Sequence, residues 1–589
     1  MRNKQLKTKG AKGMAALLCV VAFLAFAARD GRSKQIATPS GPANPAHALE
    51  TLSPDGQARL RAILAAATLA ELHRPNFSRY RSSVAEFYRS VDDRLAWIAH
   101  SQPTPQALAM IRVLENADAE GLVPDDYDGP RWASRMAAIE NASQAPEAEL
   151  IPFDVALTVS AMRYISDLDI GRANPGLFHS GLDIEQNRYD LAQFLAARII
   201  HAPDIRPALD EVAPPLPIYR REIEALHKYQ KWAREYHGRP LPVPRKTVHP
   251  GNSYRATRQL AGLLRLLGDL PPGATIDPSE TIYQGSLVDA VKHFQRRHGI
   301  DADGVLGRET FRELNTPLGH RILQLRLALE RLRWLPRRLD SPPIIVNIPE
   351  FRLHVIGAGQ KQVLAMKVVV GKAYGHQTPV FASRMRSVIF RPYWKVPLSI
   401  QQEELVPDIR RDPDYLDKHD YEVVDHRGRV VSDGEVNADI LEGLASGTLF
   451  ARQKPGPKDS LGLIRFDLPN SYDVYLHATP ATALFSRSRR DFSHGCIRVE
   501  KPVALAAWAL RNNPGWTPDR IREAMNGDRT FQVNLATPIP VLIVYGTAVV
   551  AENGEARFFR DIYGLDAELE MTLATGRLYR EEAESNPRR

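Results

Sequence analysis

The sequence predicts a multidomain α+β protein with a helical domain first, a small three-helix module next, and then a mostly-β domain that carries an inserted lid. Three observations lead there. At about 150 residues per domain, 589 residues correspond to three or four domains. Between about residues 60 and 236, apolar side chains recur at spacings of three and four, the period of a helix face. From Pro342 onward the period shortens to that of strands, in short β-branched runs separated by Pro, Gly and Asn. Hydrophobic residues make up 44% and charged residues 25%, the balance of chains that bury a core.

The first 28 residues stand apart from these domains. Arg2, Lys4, Lys7, Lys9 and Lys12 precede an apolar run from Met14 to Ala28 that ends in Ala25-Phe26-Ala27. The run is shorter than the roughly 20 residues that span a bilayer, and its end is an A-x-A cleavage pattern, so residues 1–28 read as a signal peptide. An uncleaved signal anchor, associating the chain with the inner membrane, is the alternative. Both place the domains outside the cytoplasm. Leu17-Leu18-Cys19-Val20 lacks the small neighbours of a lipid-modified cysteine. Removing the five leading basic residues lowers the net charge from +8 to +3, too little for a nucleic-acid binder. Residues 29–55, rich in Ser, Pro, Gly and Ala, read as a flexible spacer.

Residues 56–250 form the expected helical scaffold domain. Phe153, Ala156, Leu157, Ser160, Ala161, Tyr164 and Ile165 mark one helix, with Asp154 as its entry residue, and 86–98 and 105–114 predict others. No period of 20 to 50 residues repeats, which disfavours a solenoid. Prolines at 214, 215, 217, 240, 242 and 244 lead into the second unit, 251–320. There Leu287, Ala290, Val291 and Phe294 share a helix face, Gly299 ends the helix, 301–304 turn, and Gly307 to Leu314 starts another helix. Ala290, Val291, Phe294, Gln295, Gly299, Asp303, Gly304, Gly307, Thr310, Leu314 and Asn315 match the signature of the small peptidoglycan-binding module, which this stretch resembles. The resemblance implies glycan strands as a partner, although most of these residues pack the module's own core.

The expected β domain spans 340–548. Strands are predicted at 344–348, 351–355, 366–371, 387–390, 463–466, 474–477 and 541–545, enough for a sandwich or barrel-like sheet. The charged, partly helical stretch of about 401–458 interrupts them as an insertion beside a site, which reads as a lid or as decoration. Residues 549–589 remain as a C-terminal extension.

Chemistry has one clear address. Apart from Cys19 the chain has a single cysteine, Cys496, in Ser493-His494-Gly495-Cys496-Ile497-Arg498-Val499, with His477 nineteen residues upstream. An exported thiol with no disulfide partner calls for chemistry or for burial as a small hydrophobe. A cysteine attacks as the thiolate and needs a base within reach or cationic surroundings. His477 closes a predicted strand and can return beside Cys496, whereas His494, two residues away, better shapes the loop. Backbone N–H groups around His494, Gly495 and Cys496 could receive an oxyanion, and Gly495 permits the sharp turn. Arg498 either pairs with a substrate carboxylate or braces the loop. Tyr475 and Trp394 could line the groove or simply pack, and Arg487, Arg489 and Arg490 read as a solvated face. His477 and His494 have no third ligand at a telling spacing, so no metal is expected.

A histidine, a 15-residue spacer and then Ser-His-Gly-Cys make this domain resemble an L,D-transpeptidase of the YkuD type. Asn347, Gly371, Thr378-Pro379, Tyr393 to Ile400 and Gly462 to Phe466 add to the match. Arg498 departs from the Asn many members carry there, and points to the large Gram-negative branch with a scaffold domain, a peptidoglycan-binding module and a long insertion. The resemblance implies Cys496 as nucleophile and His477 as general base, oriented by the Ala478 carbonyl, with Ser493, Arg498, Tyr475 and Trp394 toward substrate. It implies a periplasmic enzyme of cell-wall biogenesis and cell shape, without a cofactor. Its substrates would be peptidoglycan stem peptides. Cys496 would attack the L-centre of meso-diaminopimelate in a donor tetrapeptide, release D-alanine, and pass the acyl group to an acceptor stem as a 3-3 crosslink. With water as acceptor it would be an L,D-carboxypeptidase, and with a protein lysine it would anchor that protein to the wall. A non-catalytic wall-binding scaffold is the alternative of another class.

Overall fold

Ser53 opens the first helix, its hydroxyl accepting from the Gly56 N–H, with Pro54 in the first helical position. The computed structural model describes residues 49–140, 146–178, 181–182, 189–277, 279 and 281–575. The expected spacer therefore gives way to helix α1, Pro54–Ala66, before residue 55, while the signal segment lies outside the described residues. All described residues belong to one compact unit, His47–Arg589.

Seven more helices follow: α2 (Arg81–Ser90), α3 (Pro105–Glu115), α4 (Trp132–Glu140), α5 (Glu147–Ile170), α6 (Leu191–Arg198), α7 (Arg206–Val212) and α8 (Pro217–Glu235). Helix α5 is 24 residues long and buried over nearly its whole length, so the others pack around it. Asp154 does not start this helix. It lies two turns inside, where its carboxylate accepts from the N–H groups of Ala96 (3.1 Å) and Trp97 (2.7 Å) and from the Tyr88 hydroxyl (2.6 Å). Burial pushes this carboxyl up to about 6. The helix predicted over 86–98 stops at Ser90 for a related reason. Asp92 and Asp93 take positive φ and turn the chain toward Asp154, after which β1 (Ile98–Ala99) and β2 (Gln102–Pro103) form a short ladder.

The module comprises α9 (Thr257–Leu266), α10 (Ser286–Arg297) and α11 (Arg308–Leu314) around a core that includes Leu260, Val291, Phe294 and Phe311. The Gln295 amide donates to Asp303 Oδ1 (2.9 Å) and to the Val305 carbonyl (3.0 Å), and its oxygen accepts from Gly304 N–H (2.8 Å). Much of the signature thus holds its own turn together. Helix α12, Leu318–Arg333, then lies along α8. Its buried Glu330 accepts from the N–H groups of Arg172 (2.6 Å) and Ala173 (2.8 Å) just beyond α5, which ties α12, the helix that leads into the β part, to the scaffold helices.

Nine strands build the main sheet: β3 (Ile344–Asn347), β4 (Arg352–Ile356), β5 (Gln362–Gly371), β6 (Phe381–Phe390), β11 (Ile464–Asp467), β12 (Leu476–His477), β13 (Asp491–Ser493), β14 (Ile497–Val499) and β15 (Phe531–Val544). The order β5-β14-β12-β11-β6-β15-β3-β4 closes on itself because β4 also pairs β5, and β13 adds to β5. Closure removes sheet edges and leaves one face for a core of Val346, Leu353, Val368, Phe390, Leu476, Ile497 and Val541.

Between β6 and β11 the insertion forms a small body of its own. Strands β7 (Trp394–Lys395), β8 (Tyr421–Val424), β9 (Val430–Ser432) and β10 (Phe450–Gln453) make a separate sheet over Val396, Leu405, Val406, Ile409 and Leu444. It thus begins at Trp394, ahead of the expected 401. The C-terminal segment adds β16 (Ala548–Val550) and β17 (Ala556–Phe558), a hairpin packed against α8 and α12.

Candidate active site

Strand register assembles the site. Strand β12 runs parallel to β14 with His477 opposite Arg498 and Leu476 opposite Ile497, and the Ile497 N–H donates to the Tyr475 carbonyl (3.0 Å). On the other side, Arg465 of β11 stands opposite His477. Because side chains alternate across a sheet, Leu476 and Ile497 enter the core, while Arg465, Tyr475, His477, Cys496 and Arg498 share the opposite face. The Arg465 guanidinium lies 4.9 Å from the centre of the Tyr475 ring, whose edge meets the His477 ring.

The turn that carries the thiol is held from several directions. Ser493 is buried; its hydroxyl donates to the Cys496 carbonyl (2.6 Å) and accepts from the Gly495 N–H (3.2 Å). The Ser493 hydroxyl, expected toward substrate, thus bonds within the loop, and the Gly495 N–H is likewise engaged inside the turn. Gly495 has φ +116°, a conformation that side-chain-bearing residues rarely adopt. Thr378 locks the turn to the sheet, its hydroxyl donating to the Gly495 carbonyl (2.7 Å) and accepting from the Gly371 N–H (2.9 Å). Tyr563, from the C-terminal segment, braces the same corner by donating to the Gly371 carbonyl (2.7 Å) and accepting from the Thr378 N–H (3.2 Å).

Protonation follows from burial and neighbours. His477 is buried, with its Nδ1–H donating to the Ala478 carbonyl (2.6 Å), which leaves Nε2 as the basic nitrogen. Burial, with Arg498 adding to it, lowers its pKa to about 3, so the ring is neutral at physiological pH. Burial also pushes the Cys496 thiol above its ordinary value, although Tyr475, Arg465 and Arg498 favour the thiolate. Arg498 itself is pushed down by burial, and its Nε is buried with no hydrogen-bond partner among the described residues. Behind His477, Asp459 accepts from the Leu461 N–H (2.9 Å) and burial raises its carboxyl to about 7. Gly462 next to it has φ +62° and approaches strand β12 so closely that an added Cβ would sit 2.8 Å from the Ala478 Cβ.

The insertion reaches the site through Glu404. His494 Nε2 lies 2.6 Å from Glu404 Oε1, on a wide helical turn at 401–405, and the His494 ring meets His376 edge to face. His494 thus bonds across to the insertion. Trp394 sits on β7, with its ring against Tyr421 in the insertion's own core. Arg489 and Asp491 pair at 2.7 Å, and Arg490 is buried on backbone carbonyls, so of the three loop arginines expected on a solvated face, Arg490 departs. Sequence reasoning missed Thr378 as the lock of the turn, Asp459, Glu404 and Tyr563. Thr378-Pro379 stood among the family matches, while Glu404 and Tyr563 carried no local signal.

Three stretches match family models: residues 342–541 the "L,D-transpeptidase catalytic domain", 255–314 the "Putative peptidoglycan binding domain", and 82–226 the "Scaffold domain". A "Putative L,D-transpeptidase" of Haemophilus influenzae is 33% identical over 248 residues, 42% of this chain and 49% of that protein. The chain therefore spans about half the length of the curated relative it matches. A solved L,D-transpeptidase from Xylanimonas cellulosilytica is 14% identical over 51% of this chain and all of that one, with a TM-score of 0.17. One from Stackebrandtia nassauensis is 13% identical over 51% and 97%, with a TM-score of 0.20. At those scores neither superposition bears on the fold. No helix among the described residues is long and apolar enough to cross a membrane. The matched residues and the motif from His477 to Cys496 identify 342–541 as a YkuD-type L,D-transpeptidase catalytic domain, preceded by a scaffold domain and a peptidoglycan-binding domain.

Proposed function

We propose that this chain is a cysteine-dependent L,D-transpeptidase that forms 3-3 crosslinks in peptidoglycan outside the cytoplasm. The observation that carries the reading is the shared sheet face of His477, Cys496 and Arg498, with a neutral imidazole and a protonated thiol whose Sγ lies 3.7 Å from the Asp473 carbonyl. Nε2 of His477 takes the thiol proton as sulfur attacks the carbonyl at the L-centre of meso-diaminopimelate in a donor tetrapeptide. The oxyanion is received by N–H groups of the turn other than that of Gly495. The imidazolium returns the proton to the leaving D-alanine amine, and a thioester remains. The side-chain amine of an acceptor stem then attacks the thioester, and sulfur departs and recovers its proton. Arg498, buried and short of a partner, suits a carboxylate of the donor stem. His494 and Gly495 shape the loop, and Glu404 ties the insertion to it through His494.

Intact-mass analysis of the soluble domains with a tetrapeptide-stem muropeptide or a carbapenem, beside Cys496→Ala, tests this. The expected result is one adduct per chain, absent from the variant, with a 3-3 dimer among the products. No adduct on folded protein with a free thiol overturns the catalytic reading in favour of a wall-binding scaffold. An adduct that yields only tripeptide assigns hydrolysis.

A further inference from the structure

Away from the thiol, a cavity of about 580 Å³ opens between the peptidoglycan-binding module and the catalytic sheet. Its walls are the end of α10 with the turn to Ala302, strands β4 and β5 with the loop 486–490, and the segment 555–559. Seven cationic side chains line it, against three carboxylates. Two of the cations are neutralised, Arg297 by Asp269 (2.6 Å) and Arg557 by Glu555 (2.9 Å). Of the other two carboxylates, Glu350 holds His354 (2.9 Å) and Asp301 is exposed.

Five cations remain: Arg296, Arg352, Lys367, Arg487 and Arg490. None lies within ion-pair distance of a carboxylate among the described residues. Lys367 donates to the Phe485 carbonyl (2.8 Å), and Arg487 rests against the Phe492 ring at 5.2 Å. Arg490 is only 5% exposed; its guanidinium lies over the Phe351 ring at 5.3 Å and its hydrogen bonds go to carbonyls, among them Val368 (3.2 Å) and Phe351 (3.0 Å). A buried charge held in no ion pair is costly, and burial together with the neighbouring Arg352 pushes this guanidinium down to about 10 although Glu500, Glu350 and Asp301 act the other way. The volume falls within the range of ligand sites.

We infer that this cavity is a second, non-catalytic site for a carboxylate-bearing peptide stem, whose carboxylates complete the charge of these five side chains. Several unpaired cations around one small space call for a ligand with more than one negative group, and guanidinium forks match carboxylates. One wall belongs to the peptidoglycan-binding module, and another continues from residue 490 into the turn of Cys496. A stem held here therefore lies between wall binding and chemistry. The choice of stem rests on the peptidoglycan reading above, whereas the anion chemistry does not.

The test is calorimetric titration of the Cys496→Ala chain with the free tetrapeptide L-Ala-γ-D-Glu-meso-diaminopimelate-D-Ala. Two binding events are expected, one of them weakened at least about tenfold by R296E/R352E at unchanged Tm. Arg296 is exposed and Arg352 half-buried, so folding should survive, and Arg487→Glu gives an independent second variant. With Cys496 restored, R296E/R352E should still form the carbapenem adduct, which separates this cavity from the catalytic groove. Stem binding indifferent to both variants overturns the site. Pyrophosphate binding that the variants abolish, without stem binding, overturns the stem assignment in favour of a phosphate ligand. Stem binding at the cavity without any 3-3 product refutes the transpeptidase reading and leaves the site standing.

Discussion

A thiol whose proton is held by burial cannot wait as a thiolate, and that constrains how Cys496 reacts. The His477 imidazole on the same sheet face is pushed the other way, to about 3, so both groups rest neutral, and in the proposed mechanism the proton moves only as sulfur attacks. The alkylation rate of Cys496 by iodoacetamide should therefore climb with pH beyond the ordinary thiol range, with no plateau near neutrality. A plateau below pH 7 would mean a preformed thiolate–imidazolium pair. His477→Gln should scarcely change this alkylation curve yet slow thioester formation by about 10²- to 10⁴-fold, as expected of a lost general base. The motif from His477 to Cys496 made these two residues legible in the sequence. The loop bonds of the Ser493 hydroxyl were not legible, because its partners, the Gly495 N–H and the Cys496 carbonyl, are brought to it only by the tight turn.

At the scale of elements, the decisive feature is a corner where β5, the Thr378 segment, the Cys496 turn and the C-terminal segment meet. Thr378 satisfies one N–H and one carbonyl there, and Tyr563 another pair. Thr378→Val keeps the shape and deletes both hydroxyl bonds, leaving the Gly371 N–H and the Gly495 carbonyl buried without that partner. A loss of about 1–3 kcal/mol in stability is expected by denaturant titration. Acylation of Cys496 should fall further than stability alone explains, because the turn loses its anchor. Equal rates in variant and parent would show that Gly495 and Ser493 hold the turn without help. Strands β3, β4 and β11 were legible from β-branched alternation to within a residue or two. Strand β12 was expected to close at His477 and does, though only its last two residues pair, whereas β13 went unpredicted, since three residues carry no period and exist as a strand only through their partner.

For the whole molecule, the joint between the scaffold helices and α12, which leads into the β part, rests on buried charge. Glu330 on α12 receives two N–H groups from the chain beyond α5 and lies 3.4 Å from Arg333. Glu330→Ala strands both donors and leaves Arg333 short of its carboxylate, so a loss of about 3–5 kcal/mol is expected in thermal or denaturant unfolding. Limited proteolysis should then cut between α12 and β3 before either side unfolds. Unfolding at the parent's temperature would show that apolar contacts along α8 and α12 suffice.

The chain by itself determined its division into helical and β parts, the signature turn of the module, and the motif from His477 to Cys496 on which the proposed chemistry rests. Each rests on local order: a period of 3.6 or of 2, a glycine where φ must be positive, or ionisable residues at a fixed spacing. Tertiary structure alone decided that Asp154 receives the N–H groups of another segment, that the insertion starts at Trp394, and that Glu404 reaches His494. It also decided that Tyr563 braces a corner nearly two hundred residues away in sequence, and that five cations gather in one cavity without counter-ions. The physical reason is common to all of these. A buried polar or charged group must find its partner in space, and nothing in the residues beside it along the chain says where that partner comes from.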